Sequence, residues 1–137
     1  MDRPPVTGTT LPLVKKTITQ QDIDRYAKVS GDFNPIHVDP EYARRTPLGG
    51  TVAHGMLLLA YVSQVMTKAF GKAWLENGKI HARFKAPAHP GDQLTISGAV
   101  TKVDTDHGTT LVCCDIFCRN QNGEELISAA TEVKIKQ

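Results

Sequence analysis

From Gly78 onward, apolar residues recur at every second position. Ile80, Ala82 and Phe84 alternate with Lys79, His81, Arg83 and Lys85, and then Leu94, Ile96, Gly98 and Val100 share one face of the next segment. A period of two is the signature of strands with one buried face. Thr110–Cys118 is apolar on both faces except for Asp115, which predicts a central strand. Ile127, Ala129, Thr131, Val133 and Ile135 mark the last strand. Turn residues separate these runs at Pro90-Gly91-Asp92, Asp104–Gly108 and Asn120–Gly123.

The first half reads as helical. Leu11–Ile18 is a short strand, after which Thr19 is an N-cap with Asp22 at N3, close to a capping box. Ile23, Tyr26 and Ala27 form the apolar stripe of a helix that stops near Ser30-Gly31. Asp39-Pro40-Glu41 repeats the start signal for a short helix to about Arg45. Thr46–Thr51, with Pro47 and Gly49-Gly50, reads as a mobile loop. The longest helix is predicted from about His54 to Phe70, with Gly71 as its stop. Its first turns, Met56–Val62, are apolar all round, which predicts burial on most sides. A buried helix ahead of antiparallel strands is an α+β layout, with the sheet wrapped around the helix. A lone sheet leaves edges unpaired, so an edge-to-edge homodimer is expected.

Composition narrows the picture further. A chain of 137 residues is one domain, with residues 1–10 as a loose N-terminal extension. A net charge of +2, with no basic run interleaved with aromatics, argues against nucleic acid. Cys113, Cys114 and Cys118 are odd in number and crowded into one segment, so they read as small strand hydrophobes in a reducing compartment. The first ten residues lack the apolar core of a signal peptide, and Met56–Val62 is far shorter than the roughly 20 residues a membrane span needs. The expected setting is the cytosol, with an organelle address upstream left open.

The chemistry concentrates in Ser30–Pro40 and in Ala53-His54-Gly55-Met56. Asp32 and His37 stand five residues apart in a Gly/Asn/Pro turn, and Asp with His is the commonest pair for trading protons near neutral pH. The spacing is equally that of a turn in which Asp32 and Asn34 bond their own backbone, though a helix capped on each side fixes the loop. Gly55 at a helix start either offers its N–H to a developing negative charge or simply lets the helix begin against the sheet. His37, Asp39 and His54 offer N and O donors for zinc or iron, but no Cys/His pattern supports a metal. His54 is instead expected to hydrogen-bond and orient the loop. His81, His89 and His107 fall where solvent is expected. Ser63 lacks a nucleophile elbow, and its bland role is a bond to a carbonyl one turn earlier.

Tyr26-Ala27-x-x-Ser30-Gly31-Asp32-x-Asn34-Pro35-Ile36-His37-x-Asp39, then Ala53-His54-Gly55-Met56-Leu57, Arg83-Phe84-Lys85-Ala86-Pro87 and Pro90-Gly91-Asp92, together resemble the MaoC-like dehydratase family of the hotdog superfamily. That family includes R-specific enoyl-CoA hydratases and 3-hydroxyacyl-thioester dehydratases. The resemblance covers nearly the whole chain. It implies a hotdog fold, a homodimer or dimer of dimers, and an acyl-thioester substrate whose carrier is coenzyme A or acyl carrier protein. It implies Asp32 and His37 as the catalytic dyad, with Asn34 holding the loop. The Gly55 N–H would bind the thioester carbonyl, Ser63 would line the site, and Arg83 and Lys85 would meet the pantetheine or phosphate end of coenzyme A. No metal or redox cofactor is implied. A thioesterase on the same fold and a non-catalytic acyl-thioester binding module are the rival readings. Acyl chain length stays open.

Overall fold

The computed structural model describes residues 5–136. In chain order the elements are β1 (Val14–Thr17), α1 (Gln20–Ser30), α2 (Pro35–Val38), α3 (Pro40–Arg44), α4 (Gly55–Phe70), α5 (Lys72–Asn77), β2 (Lys79–Phe84), β3 (Gln93–Asp106), β4 (Thr109–Arg119) and β5 (Glu125–Lys136). The strands form one antiparallel sheet in the order β1-β3-β4-β5-β2, so β4 is central as its two apolar faces predict. The α+β layout is the expected one.

Both predicted caps are present. The Thr19 hydroxyl accepts from the Asp22 N–H, and Asp39 Oδ1 accepts from the Tyr42 N–H at 3.1 Å. The first strand is shorter than Leu11–Ile18 because Pro12 has no N–H to offer the ladder. Upstream of it, the segment expected to be loose is tied to β3. The Gly8 N–H donates to the Val100 carbonyl, and the Val100 N–H donates back to that of Thr9. Residues 1–4 lie outside the described part. Two short helices, α2 and α5, were not expected. The second begins at Gly71, which ends α4, and it buries Trp74.

The core lies between α4 and one face of the sheet. Leu58, Val62, Val65 and Met66 of α4 are buried in one cluster with Ile96, Val112, Ile116, Ile127 and Val133 of the sheet. Each such side chain contributes about 1.5–3 kcal/mol on leaving water, which fixes the helix against the sheet and with it the position of its first turn. Gly98 lets β3 approach β4 there, since a Cβ would stand 2.5 Å from the Asp115 carbonyl oxygen. Cys114 and Cys118 are core residues, and burial pushes both thiols up to about 11.

The first turns of α4 are less covered than their composition predicts. Leu58 and Val62 are buried, but Met56 is 58% exposed and Ala60 also faces outward. Phe84 and Ile80 on the edge strand β2 are exposed as well. No helix among the described residues is long and apolar enough to cross a membrane.

Candidate active site

The loop after α1 is built by short-range bonds. Gly31 ends the helix in the left-handed region (φ 78°) and donates its N–H to the Ala27 carbonyl. Asp32 Oδ1 then accepts from the Asn34 N–H at 3.1 Å, and Asn34 Oδ1 accepts from the Ile36 N–H at 3.1 Å, capping the one-turn helix α2. Asp32 therefore does what an ordinary turn residue does, but with one oxygen only. The other, Oδ2, lies 3.9 Å from His37 Nε2.

His37 is held from its other side. Nδ1 lies 2.7 Å from the Val52 carbonyl oxygen. A carbonyl only accepts, so Nδ1 carries the hydrogen and the neutral ring presents a bare Nε2 toward Asp32. Gln20 fastens the surrounding segments. Its amide donates to the His37 carbonyl at 2.8 Å and its oxygen accepts from the Thr51 hydroxyl at 2.6 Å. The Val52 N–H donates to the Ile36 carbonyl. The imidazole is buried while the Asp32 side chain is 53% exposed, so one member of the pair is anchored and the other faces solvent.

His54 and Gly55 complete the arrangement. The His54 Nε2–H donates to the Asp32 main-chain carbonyl at 3.0 Å, the loop-orienting role expected of it. Its ring stacks on His37 with centroids 3.8 Å apart, and Tyr26 packs against it at 4.8 Å. Gly55 follows directly as the first residue of α4. No side chain caps that helix start, and the Gly55 N–H has no hydrogen-bond partner among the described residues. A Cβ at Gly55 would sit 3.1 Å from the Phe84 ring, so the glycine also lets the helix begin close against β2. The packing reading of this glycine is thus met, and its N–H is left open to an acceptor.

Asp32, His37 and His54 bring ligand atoms within 4.8 Å of one another, which raises the question of a metal ion. Their geometry does not suit one. His37 Nδ1 and His54 Nε2 are committed to carbonyls, which leaves one nitrogen on each of two rings only 25° from parallel. Ring lone pairs lie in the ring planes, so stacked rings cannot both aim at one ion about 2.0–2.1 Å away. Asp39 caps α3 through Oδ1 and is not among the residues whose ligand atoms converge here.

Three predicted residues are not brought to this cluster. Ser63 stands two turns along α4, where its Oγ accepts from Trp74 Nε1 at 2.9 Å and its carbonyl accepts from the Thr67 hydroxyl. Lys85 pairs with Glu125 at 3.3 Å. Arg83 follows the strand alternation. Because Phe84 faces Gly55, Arg83 projects from the opposite face of the sheet, beside His81, Asp115 and Phe117 around an open hollow of about 310 Å³. His89, expected in solvent, is half-buried and its Nε2 bonds the Leu48 carbonyl, tying down the loop expected to be mobile. Gln20 and the Val52 carbonyl were missed. A main-chain acceptor has no signature in sequence.

The family model described as MaoC like domain matches residues 4–114. Over 98 residues the chain is 34% identical to 3-hydroxyacyl-thioester dehydratase Z of Mycobacterium tuberculosis, a match covering 68% of this chain and 65% of that protein's length. Over 123 residues it is 29% identical to an (R)-specific enoyl-CoA hydratase of Aeromonas caviae, covering 89% and 90%. The solved structure of the (R)-hydratase from A. caviae superposes with a TM-score of 0.84 at 25% identity, over 96% of this chain and 97% of that one. The sheet wrapped on α4 is a single hotdog fold.

Proposed function

The chain belongs to the MaoC-like family, and we propose that it catalyses the reversible addition of water to a trans-2-enoyl thioester, giving an R-3-hydroxyacyl thioester. One observation carries the reading: His37 is fixed in the tautomer that turns a bare Nε2 toward Asp32 Oδ2, 3.9 Å away. That gap is too long for a direct hydrogen bond, yet one water can touch both atoms. The water oxygen adds to C3 as the dyad takes one of its protons. The C2=C3 electron pair moves toward the carbonyl oxygen, and the dyad then delivers a proton to C2 on the same face. The proton belongs to the coupled pair, and neither member is singled out as the base.

Negative charge grows on the thioester carbonyl as the enolate forms. The free Gly55 N–H at the start of a 16-residue helix is the donor proposed to meet it. Water addition changes no net oxidation state, so the reading needs no redox cofactor, and the Gly55 N–H is given the carbonyl-polarising role. Coenzyme A or acyl carrier protein enters as part of the substrate, in the cytosolic setting expected from the sequence. Asn34 keeps its proposed role as the cap that holds the loop. Substrate contacts by Ser63, Arg83 or Lys85 would have to be made from where those residues now lie.

A homodimer belongs to the same reading. Among the described residues the outer edge of β2 is unpaired, and its Ile80 and Phe84 are exposed, as is Met56 in the first turn of α4. A second copy pairing along β2 would cover edge and patch together. Purified protein incubated with crotonyl-CoA and a thiol reagent tests the activity. Loss of enoyl absorbance without free thiol is the expected result. Thiol release would instead support the thioesterase reading.

A further inference from the structure

His54 is the residue whose chemistry helix packing explains least. It occupies the N-cap of α4 but makes no side-chain cap bond, the one service that position usually demands. It is 2% exposed, and its Nδ1 is buried without a hydrogen-bond partner. An unsatisfied buried nitrogen is costly, and a phenylalanine would stack on His37 without it. What a phenylalanine lacks is the Nε2–H.

We infer that His54 is a positioning residue, holding the Asp32 backbone and the His37 ring in register without touching substrate. The two imidazoles are cross-tied. His37 donates from Nδ1 to the carbonyl of Val52, two residues before His54, while His54 donates from Nε2 to the carbonyl of Asp32, the partner of His37. The rings carry opposite tautomers and stack face to face. The other hydrogen bonds of Asp32 are local, to Ser30 and Asn34. Among the described residues, its carbonyl bond to His54 is the only hydrogen bond tying the carboxylate's backbone to another element. Releasing it frees Oδ2 to drift from Nε2, and a shift of about 1 Å in a reacting group costs on the order of 10²-fold in rate.

The inference rests on the hydratase reading for what the dyad does, while the geometry can be tested apart from it. Three variants separate donor from bulk: His54→Gln, whose amide N–H reaches the same carbonyl; His54→Asn, one carbon short of it; and His54→Phe, which keeps the stack alone. With crotonyl-CoA, His54→Asn and His54→Phe should lose roughly 10–100-fold in kcat with KM within about twofold. His54→Gln should recover most of that loss. Amide hydrogen exchange reports the geometry directly. The Asn34 N–H, bonded to Asp32 Oδ1, should exchange several-fold faster in the Asn and Phe variants than in wild type or His54→Gln. Equal loss in Gln and Asn variants, or wild-type kcat and exchange in His54→Asn, would overturn the inference. If His54→Phe does not fold, the Gln/Asn pair still decides. If wild-type protein turns over no enoyl thioester, the hydratase reading fails and the exchange data alone judge His54.

Discussion

Two aspartate–histidine pairs occur among the described residues, and the tighter one is the less interesting. Asp106 and His107 touch directly at the tip of the β3–β4 hairpin, where His107 (φ 51°) and Gly108 (φ 79°) make the two-residue turn. Both side chains are almost wholly in water, at 79% and 93% exposure, and an ion pair there is screened and contributes little. Asp32 and His37 stand farther apart, but the imidazole is buried, its tautomer is set by Val52, and its partner's backbone is held by His54. Proximity makes a contact. Anchoring makes a group that can hold a proton where a reaction needs it.

The largest test of that contrast is removal of the anchored pair. Asp32→Asn and His37→Ala should each lower kcat toward enoyl-CoA by about 10² to 10⁴, the usual worth of general acid–base help. Folded variants with near wild-type turnover would break it. Next comes the helix start. Gly55→Pro deletes one N–H at a position where proline suits a helix, and His54 already has the extended ψ of 135° that a following proline requires. Gly55→Ala adds a comparable Cβ against Phe84 but keeps the donor, so kcat of the proline variant should fall a further 10²–10³-fold, roughly, relative to alanine. A smaller effect is expected at the cap of α2. Asn34→Ala should cost about 1 kcal/mol in urea unfolding, with less loss of kcat than either dyad variant. Asp106→Asn and His107→Ala complete the series, and both should leave kcat unchanged.

How much of this could be read from the chain follows from the range of each interaction. The caps at Thr19 and Asp39 were legible because a cap is satisfied within three residues. The strands were legible because half-burial imposes a period of two. Helix α2 carries its own start signal, Asn34-Pro35, but four residues are too few to show periodicity. Helix α5 hid behind Gly71, which reads as a stop and serves also as a new start. The positions proposed as the dyad are visible as residue types in a turn. What prepares them was not, because the Val52 carbonyl, the Gln20 bridge and the His37–His54 stack join residues 15 to 31 positions apart or carry no side-chain signature. Arg83 shows the remaining limit. Alternation separates it from Phe84 in the sequence, but only the contact of Phe84 with Gly55 shows which face meets the helix.

Asp32 and His37 are proposed to deliver one water to an enoyl thioester, its oxygen to C3 and one of its protons to C2. Turnover of crotonyl-CoA in deuterated water, with the product analysed for chirality and isotope position, tests it most directly. The expected product is R-3-hydroxybutyryl-CoA with one deuterium at C2, formed by wild type and reduced by at least about 10²-fold in Asp32→Asn. Free coenzyme A with the double bond intact, or equal yields from wild type and Asp32→Asn, would contradict it.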